Sequence, residues 1–264
     1  MDGVTDGIIA ASNCHFDPFT LVGQNITCPG GSDLTISSQA AKAVEAVWSG
    51  ARTVDGKFLW HGYGKDANLS TLLNTTCSTD VECTGGLYQL ASNWLNYYIL
   101  EDPEFDIRNV SHREYDRIFR LSKNIYRSIL GTDDPDLTEF RQAKGKMITW
   151  HGLSDDFIPP NGTYQYYKQV LELDPDAADF YRFFPAPGVA HCMGGVGYFP
   201  GSALQSLVAW VEKGVAPETL EGTTMPDANG VVRKQPLCPY PLVAAYKGGD
   251  QNETSSFECR SAVN

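Results

Sequence analysis

The 264-residue chain has no surplus of positive charge: 20 Lys and Arg stand against 32 Asp and Glu, a net charge of −12. That balance disfavours nucleic acid or an anionic membrane surface as a partner and leaves small neutral or weakly acidic ligands open. No apolar run approaches the roughly 18 to 20 residues that cross a bilayer, so no membrane anchor is expected. The cysteines lack CxxC spacing, which disfavours structural zinc, and no redox cofactor is expected. No Gly-x-Ser-x-Gly segment occurs, so the usual nucleophile elbow of a serine hydrolase is missing. A leader is missing too: Asp2 and Gly3 follow Met1 directly, without the basic and apolar stretches of a signal peptide. The expectation is that the natural protein begins upstream of Met1.

What is present describes a globular, extracellular protein. Apolar residues at 42% and charged residues at 20% are ordinary for a folded chain, and this length can bury a core as one large domain or two modest ones. Six Asn-x-Ser/Thr sequons, at Asn25, Asn68, Asn74, Asn109, Asn161 and Asn252, fall in stretches that read as loop or turn. With seven cysteines and an acidic balance, they favour a secreted glycoprotein. An odd cysteine count in an oxidising compartment implies a free thiol or a partner outside the chain. Cys77 and Cys83 bracket a short polar loop, Cys238 and Cys259 bracket the C-terminal tail, and both pairs read as local disulfide staples. Cys14, Cys28 and Cys192 are left over.

The chain changes period near its middle. Residues 1 to about 35 are rich in Gly, Asp, Asn and Pro and read as loop. Ser37–Ser49 carries a Ser cap and an apolar stripe, and helical patterns recur over Leu87–Leu100 and His112–Leu130. Within Leu87–Leu100, Trp94, Tyr97 and Tyr98 have the spacing of one helix face and read as core. From Gly145 the order becomes strand to His151, helix over Tyr164–Leu173, strand over Asp179–Gly188, and helix over Ser202–Gly214 with a Gly stop. Strand–helix–strand–helix implies an α/β fold with parallel strands and crossover helices. The chain therefore divides into a helix-and-loop part, residues 1–143, and an α/β part, residues 144–264.

Ligands of such sheets sit beyond the carboxyl ends of the strands. Two segments lie there: Trp150-HGLSDDFIP-Pro160 and Phe183-FPAPGVAH-Cys192. Asp155 and His191 would emerge side by side from successive strands as the carboxylate and base of a hydrolase triad, the carboxylate holding the imidazole in its working tautomer. Gly152 and Pro159 suggest a tight turn in which one of Asp155 and Asp156 faces the site and the other faces solvent; spacing alone does not choose between them. In the nucleophile–acid–base order of α/β-hydrolases, the nucleophile should lie upstream. Ser78, after Cys77, sits in a polar Cys-bracketed loop with no strand before it and reads as structural.

These segments resemble the tannase and feruloyl esterase family, secreted α/β-hydrolases whose site is Cys-Ser, Asp, His-Cys. The resemblance of HGLSDDFIPP places the acid on Asp155; that of PGVAHC places the base on His191 and, on Cys192, the cysteine that clamps base to nucleophile by a disulfide. The opening DGVTDGII resembles the family's calcium loop, which implies side-chain oxygens from Asp2 and Asp6 and carbonyls from Val4 and Ile8, the oxygen-only ligation a hard cation requires. The family's Ser-bearing segment has no counterpart here, so the chain resembles the second half of such an enzyme: lid, then the last strands and helices of an α/β-hydrolase parallel sheet. Cys192 and Cys14 then lack the partners they have in the family.

The resemblance implies a carboxylic ester hydrolase of feruloyl or galloyl esters, secreted, with structural calcium in the lid. Its partners would be a phenolic ester substrate and an N-terminal half of the same enzyme, disulfide-linked, bearing the nucleophile. Aromatic residues Trp48, Trp60, Tyr63 and Tyr88 could pack on the phenolic ring. A reading of a different class is an inactive, glycosylated calcium-binding module that binds phenolic glycans, and a third is a metal hydrolase that uses His151 and His191.

Overall fold

A computed structural model of the chain describes residues 4–9, 14–27, 33–72, 74–77 and 83–261, with the side chains of residues 76, 77 and 83 outside the description. Asp2, Cys28 and Ser78 lie outside the described residues. The chain forms two compact units, one of Phe16–Gly62 and Asn68–Asp134, the other of Met1–His15, Tyr63–Ala67 and Pro135–Asn264. The observed line thus falls at Pro135, ahead of the expected 143/144 division, and two earlier segments join the later unit.

The first unit holds helices and two short hairpins. Strands β1 (Asn25–Thr27) and β2 (Asp33–Thr35) pair antiparallel within a stretch expected to be loop. Polar cross-strand pairs hold them, Thr35 Oγ1 donating to Asn25 Oδ1 at 2.7 Å and Thr27 Oγ1 to Asp33 Oδ1 at 2.8 Å, so no apolar alternation marks them in the sequence. Helix α1 (Ser38–Ser49) starts where Ser37 accepts a hydrogen bond from the Ala40 amide. Strands β3 (Thr75–Cys77) and β4 (Cys83–Gly85) pair so that the backbones of Cys77 and Cys83 stand opposite each other; the side chains of the expected staple lie outside the description.

Helix α2 (Gln89–Asn93) runs into a π-helical turn over Trp94–Ile99, where the Leu100 amide donates to the Leu95 carbonyl at 2.8 Å. The wider turn breaks the expected helix face. Tyr97 and Tyr98 are 57% and 54% exposed, which corrects their reading as core; only Trp94 is held, stacked on Tyr98 and donating from Nε1 to Ser122 Oγ at 3.0 Å. Helix α3 (His112–Leu130) begins at the Ser111 cap and buries Ile118.

The second unit opens with the short helix α4 (Thr138–Gln142). Strand β5 (Met147–Gly152), helix α5 (Pro160–Leu173) and strand β6 (Tyr181–Ala186) follow as a parallel pair with a crossover helix. Strand β6 is buried on both faces, as a parallel strand between covering layers requires. Its Tyr181 and Phe183 pack with Tyr167 and Val170 of α5; its Phe184 and Ala186 pack on the other side with Val189, Tyr198, Leu220 and Leu237. Each fully buried large side chain there contributes about 1.5–3 kcal/mol. Helix α6 (Ala203–Lys213) ends at Gly214, which takes the left-handed conformation at φ +69°.

The expected parallel sheet amounts, among the described residues, to this one pair. The tail instead forms antiparallel pairs, β7 (Leu220–Thr223) with β8 (Lys234–Leu237) and β9 (Leu242–Tyr246) with β10 (Phe257–Ser261). The expected Cys238–Cys259 disulfide staples this tail. Two sequons also sit in regular structure and not in loops, Asn25 opening β1 and Asn161 in the first turn of α5. Asn25, Asn68, Asn74, Asn109 and Asn161 are exposed and Asn252 is half-buried.

The parallel register Gly152↔Ala186 leaves both strands ending level, and their following turns are tied together. The Leu153 amide donates to the Ala186 carbonyl at 2.9 Å and the Ser154 amide to the Val189 carbonyl at 3.1 Å. A Cβ on Gly152 would lie 2.2 Å from the Val189 carbonyl oxygen, so only glycine allows this approach. Gly152→Ala is expected to lower unfolding stability by about 1–3 kcal/mol through overpacking; Gly85→Ala, whose Cβ would meet nothing within 4 Å, is the control in urea denaturation and should change it by less than about 0.5 kcal/mol.

Candidate active site

Because the two post-strand turns are bonded to each other, residues a few positions beyond each strand meet. Asp155 Oδ2 lies 3.0 Å from His191 Nδ1. Asp155 is 3% exposed, whereas the His191 side chain is 41% exposed. The carboxylate is enclosed and the imidazole reaches the surface, with no described residue hydrogen-bonded to its Nε2. The Phe157 ring supports the imidazole at 5.0 Å between centroids.

Asp155 is held from several directions. Its Oδ1 accepts from the amides of Phe157 and Ile158, both at 2.8 Å, the ordinary way a turn aspartate satisfies the backbone around it. Its Oδ2 also contacts His151 Nε2 at 3.2 Å. Burial pushes its carboxyl pKa up; the Ile158 amide, the His191 hydrogen bond, the Phe157 amide and the electrostatic pull of His151 act against that and prevail, holding it below the ordinary carboxylate range. Asp155 is therefore ionised wherever the imidazole works. The neighbouring Asp156 does not face solvent, as one of the two aspartates was expected to; it is 8% exposed. The segment Tyr63–Ala67 packs on the same turn. Tyr63 donates from its hydroxyl to the Phe157 carbonyl at 3.2 Å, Ser154 donates to Asp66, and a Cβ on Gly64 would lie 2.3 Å from the Leu153 carbonyl oxygen.

The His191 turn is drawn tight. The Gly197 amide donates to the Gly188 carbonyl at 2.9 Å, and Cβ atoms at Gly188 and Gly197 would collide with backbone at 2.8 and 2.0 Å. At its tip the Met193 amide bonds the His191 carbonyl at 2.7 Å around Cys192, whose φ is +58°. This is a γ-turn of the positive-φ kind, strained for a residue with a Cβ. Cys192 is exposed and carries no disulfide, and Cys14, half-buried, carries none either.

The residues expected to hold calcium are partly described. Asp6 Oδ1 accepts from the Ile8 amide at 3.0 Å and its Oδ2 from the Tyr198 hydroxyl at 3.0 Å. Each oxygen keeps a second acceptor site, and with the carbonyls of Val4 and Ile8 the loop remains an all-oxygen set compatible with a hard cation. Among the described residues no three His, Cys, Asp or Glu side chains group as a metal site.

Thr163 and Phe157 were not legible as site residues, and His151 reads from the sequence only as a candidate metal ligand beside His191, not as a partner of Asp155. The available signal was positional: Met147, Thr149 and His151 share the face of β5 from which His151 Nδ1 meets Thr163 Oγ1 of α5 at 2.7 Å, and a histidine on an otherwise packed face asks for partners.

The chain matches, over residues 1–260, the family model described as tannase and feruloyl esterase. It is 35% identical over 98% of its length to a protein of Arthroderma benhamiae named "Probable feruloyl esterase", covering 49% of it. Feruloyl esterase B from Aspergillus oryzae superposes with a TM-score of 0.79 at 26% identity, over 98% of this chain and 53% of that one. Tannin acyl hydrolase from Aspergillus niger superposes with a TM-score of 0.85 at 24% identity, over 99% and 51% respectively, a likeness of fold. The chain thus spans about half the length of the curated relatives it matches.

A depressed carboxylate pKa contributes stability that is present above the ordinary aspartate value of 3.8 and lost as pH falls through the lower folded value. An Asn at 155 would turn its NH₂ either toward two amide donors or toward two imidazoles. Asp155→Asn is accordingly expected to cost about 1–3 kcal/mol at neutral pH, a gap that narrows as acid protonates Asp155 in the parent. Urea denaturation of both proteins across the acid range checks it; a gap independent of pH would contradict the ionised, hydrogen-bonded Asp155.

Proposed function

The chain belongs to the tannase and feruloyl esterase family, and from that premise we propose that it supplies the acid and the base of a carboxylic ester hydrolase acting on phenolic acid esters. The observation that carries this reading is the 3.0 Å contact between the enclosed Asp155 carboxylate and the surface imidazole of His191. Asp155 fixes Nδ1 as the protonated nitrogen of the neutral ring and leaves Nε2 as the base. A serine hydroxyl from a segment outside these 264 residues attacks the ester carbonyl while its proton passes to His191 Nε2. Collapse of the tetrahedral adduct returns that proton to the leaving alkoxide, and water repeats both transfers to free the acid and the serine. Asp155 stays ionised throughout and stabilises the imidazolium.

The same reading gives Cys192 a partner cysteine beside that serine, in an N-terminal half of the enzyme. Its strained backbone and exposure suit a thiol meant to be bonded. Exposed Ile158, Met193 and Val196 flank the acid and base in sequence and suit an aromatic acyl group, feruloyl or galloyl. Calcium bound by Asp2, Asp6, Val4 and Ile8, secretion, and glycans on the sequons complete the proposal.

Combined with an N-terminal half carrying a Cys-Ser segment, the chain is expected to release the phenolic acid from methyl ferulate or methyl gallate, and His191→Ala to lower kcat on the order of 10³-fold or more. Unchanged turnover in His191→Ala, or phenolic binding without turnover, would overturn the reading. Calcium should raise the thermal midpoint of the chain, and Asp6→Asn should abolish that rise in a melting experiment.

A further inference from the structure

His151 is the one imidazole of the site that the triad does not use. Its environment fixes which nitrogen carries hydrogen. Nε2 faces two acceptors, Asp155 Oδ2 at 3.2 Å and the Ile158 carbonyl at 3.2 Å, while Nδ1 faces the Thr163 hydroxyl at 2.7 Å. A bare lone pair on Nε2 would confront two oxygens, so Nε2 bears a hydrogen and donates toward Asp155, while Nδ1 pairs with the Thr163 hydroxyl, which can act as donor or acceptor. The side chain is 12% exposed and that of Asp155 5%.

The consequence lies in the acceptor count of Asp155. An ionised carboxylate has about four acceptor sites. Oδ1 fills two with the amides of Phe157 and Ile158, and Oδ2 fills two with His191 Nδ1 and His151 Nε2. The two amides hold Oδ1 from one edge of the carboxylate, and His151 holds Oδ2 from the other, so that rotation about the Cβ–Cγ bond would break contacts at both oxygens. We propose that His151, steadied by Thr163, is a positioning residue that locks the Asp155 carboxylate so that Oδ2 stays aimed at His191. This rests on the proposed roles of Asp155 and His191 and names the group that enforces them.

The ionisable groups around this relay are few. Asp155 touches His151 directly and His191 through it; Asp156 follows on the same turn. Asp66 and Tyr63 reach the turn through Ser154 and the Phe157 carbonyl, and Tyr164 follows Thr163 on α5. The test reads the hydrogen bond itself, at one pH, by proton and ¹⁵N NMR of the full chain labelled at histidine. Protein is made without glycosylation, since Thr163 belongs to the Asn161 sequon. The reference signal is the downfield Nδ1 proton of His191, assigned by its loss in Asp155→Asn.

His151→Leu is expected to speed exchange of that proton with water about tenfold, the loss of one hydrogen bond to a charged group. His151→Gln, whose amide can reach Oδ2 from the same position as Nε2, should restore it. Thr163→Val, nearly isosteric, should also speed exchange, and Thr163→Ser should not, so the idea remains testable if the Leu variant fails to fold. Exchange unchanged in both His151→Leu and Thr163→Val would overturn it, as would Gln behaving like Leu. Failure of the esterase reading is recognised separately, by turnover that survives His191→Ala.

Discussion

The carboxylate of Asp155 is the point on which the arrangement of the turns after β5 and β6 hangs. Two amides of its own turn, one imidazole from the end of β5 and one from the turn after β6 all donate to it. Each bond joins a different piece of backbone to one charge, so the acid turn, the strand end and the base turn form a single arrangement. The charge survives burial because the donors surrounding it outweigh desolvation, the condition under which a buried ion is tolerable. The same donors set the direction in which the base points.

Backbone packing makes that convergence possible. The level strand ends of β5 and β6 and the collision-tight approach at Gly152 bring the two turns within hydrogen-bond reach before any side chain acts. Gly188 and Gly197 then narrow the turn after β6, whose tip carries a positive φ at Cys192. Rigidity at the base and strain at the tip are complementary: the packed strand β6 supplies the support that a strained tip requires.

Much of this was legible in the sequence wherever one period dominated a long segment. The Ser37 cap, the apolar stripe of α1, the helical patterns of α3, α5 and α6, the Gly214 stop and the apolar run of β5 are local signals, and the placement of Asp155 and His191 past the strand ends followed from them. The hairpin of β1 and β2 was not legible because polar pairs such as Thr35–Asn25 hold it. The tail strands β7 to β10 were missed because none shows a clean apolar alternation. Tyr97 and Tyr98 were misjudged because a π-turn changes the spacing that the pattern assumes. His151 reads as a candidate metal ligand and not as a partner of Asp155 for a different reason: its meaning lies in the four acceptor sites of another residue, a property of three-dimensional neighbours and not of spacing.

The central claim is that Asp155 is a charged hub held by its donors, and the most direct measurement is the acid titration of its side-chain carboxyl carbon by ¹³C NMR in the intact chain. A midpoint below the ordinary aspartate value is expected, with the His191 Nδ1 proton signal disappearing over the same range as the carboxylate takes up a proton. A midpoint at or above the ordinary value, or a His191 signal indifferent to that titration, would contradict it.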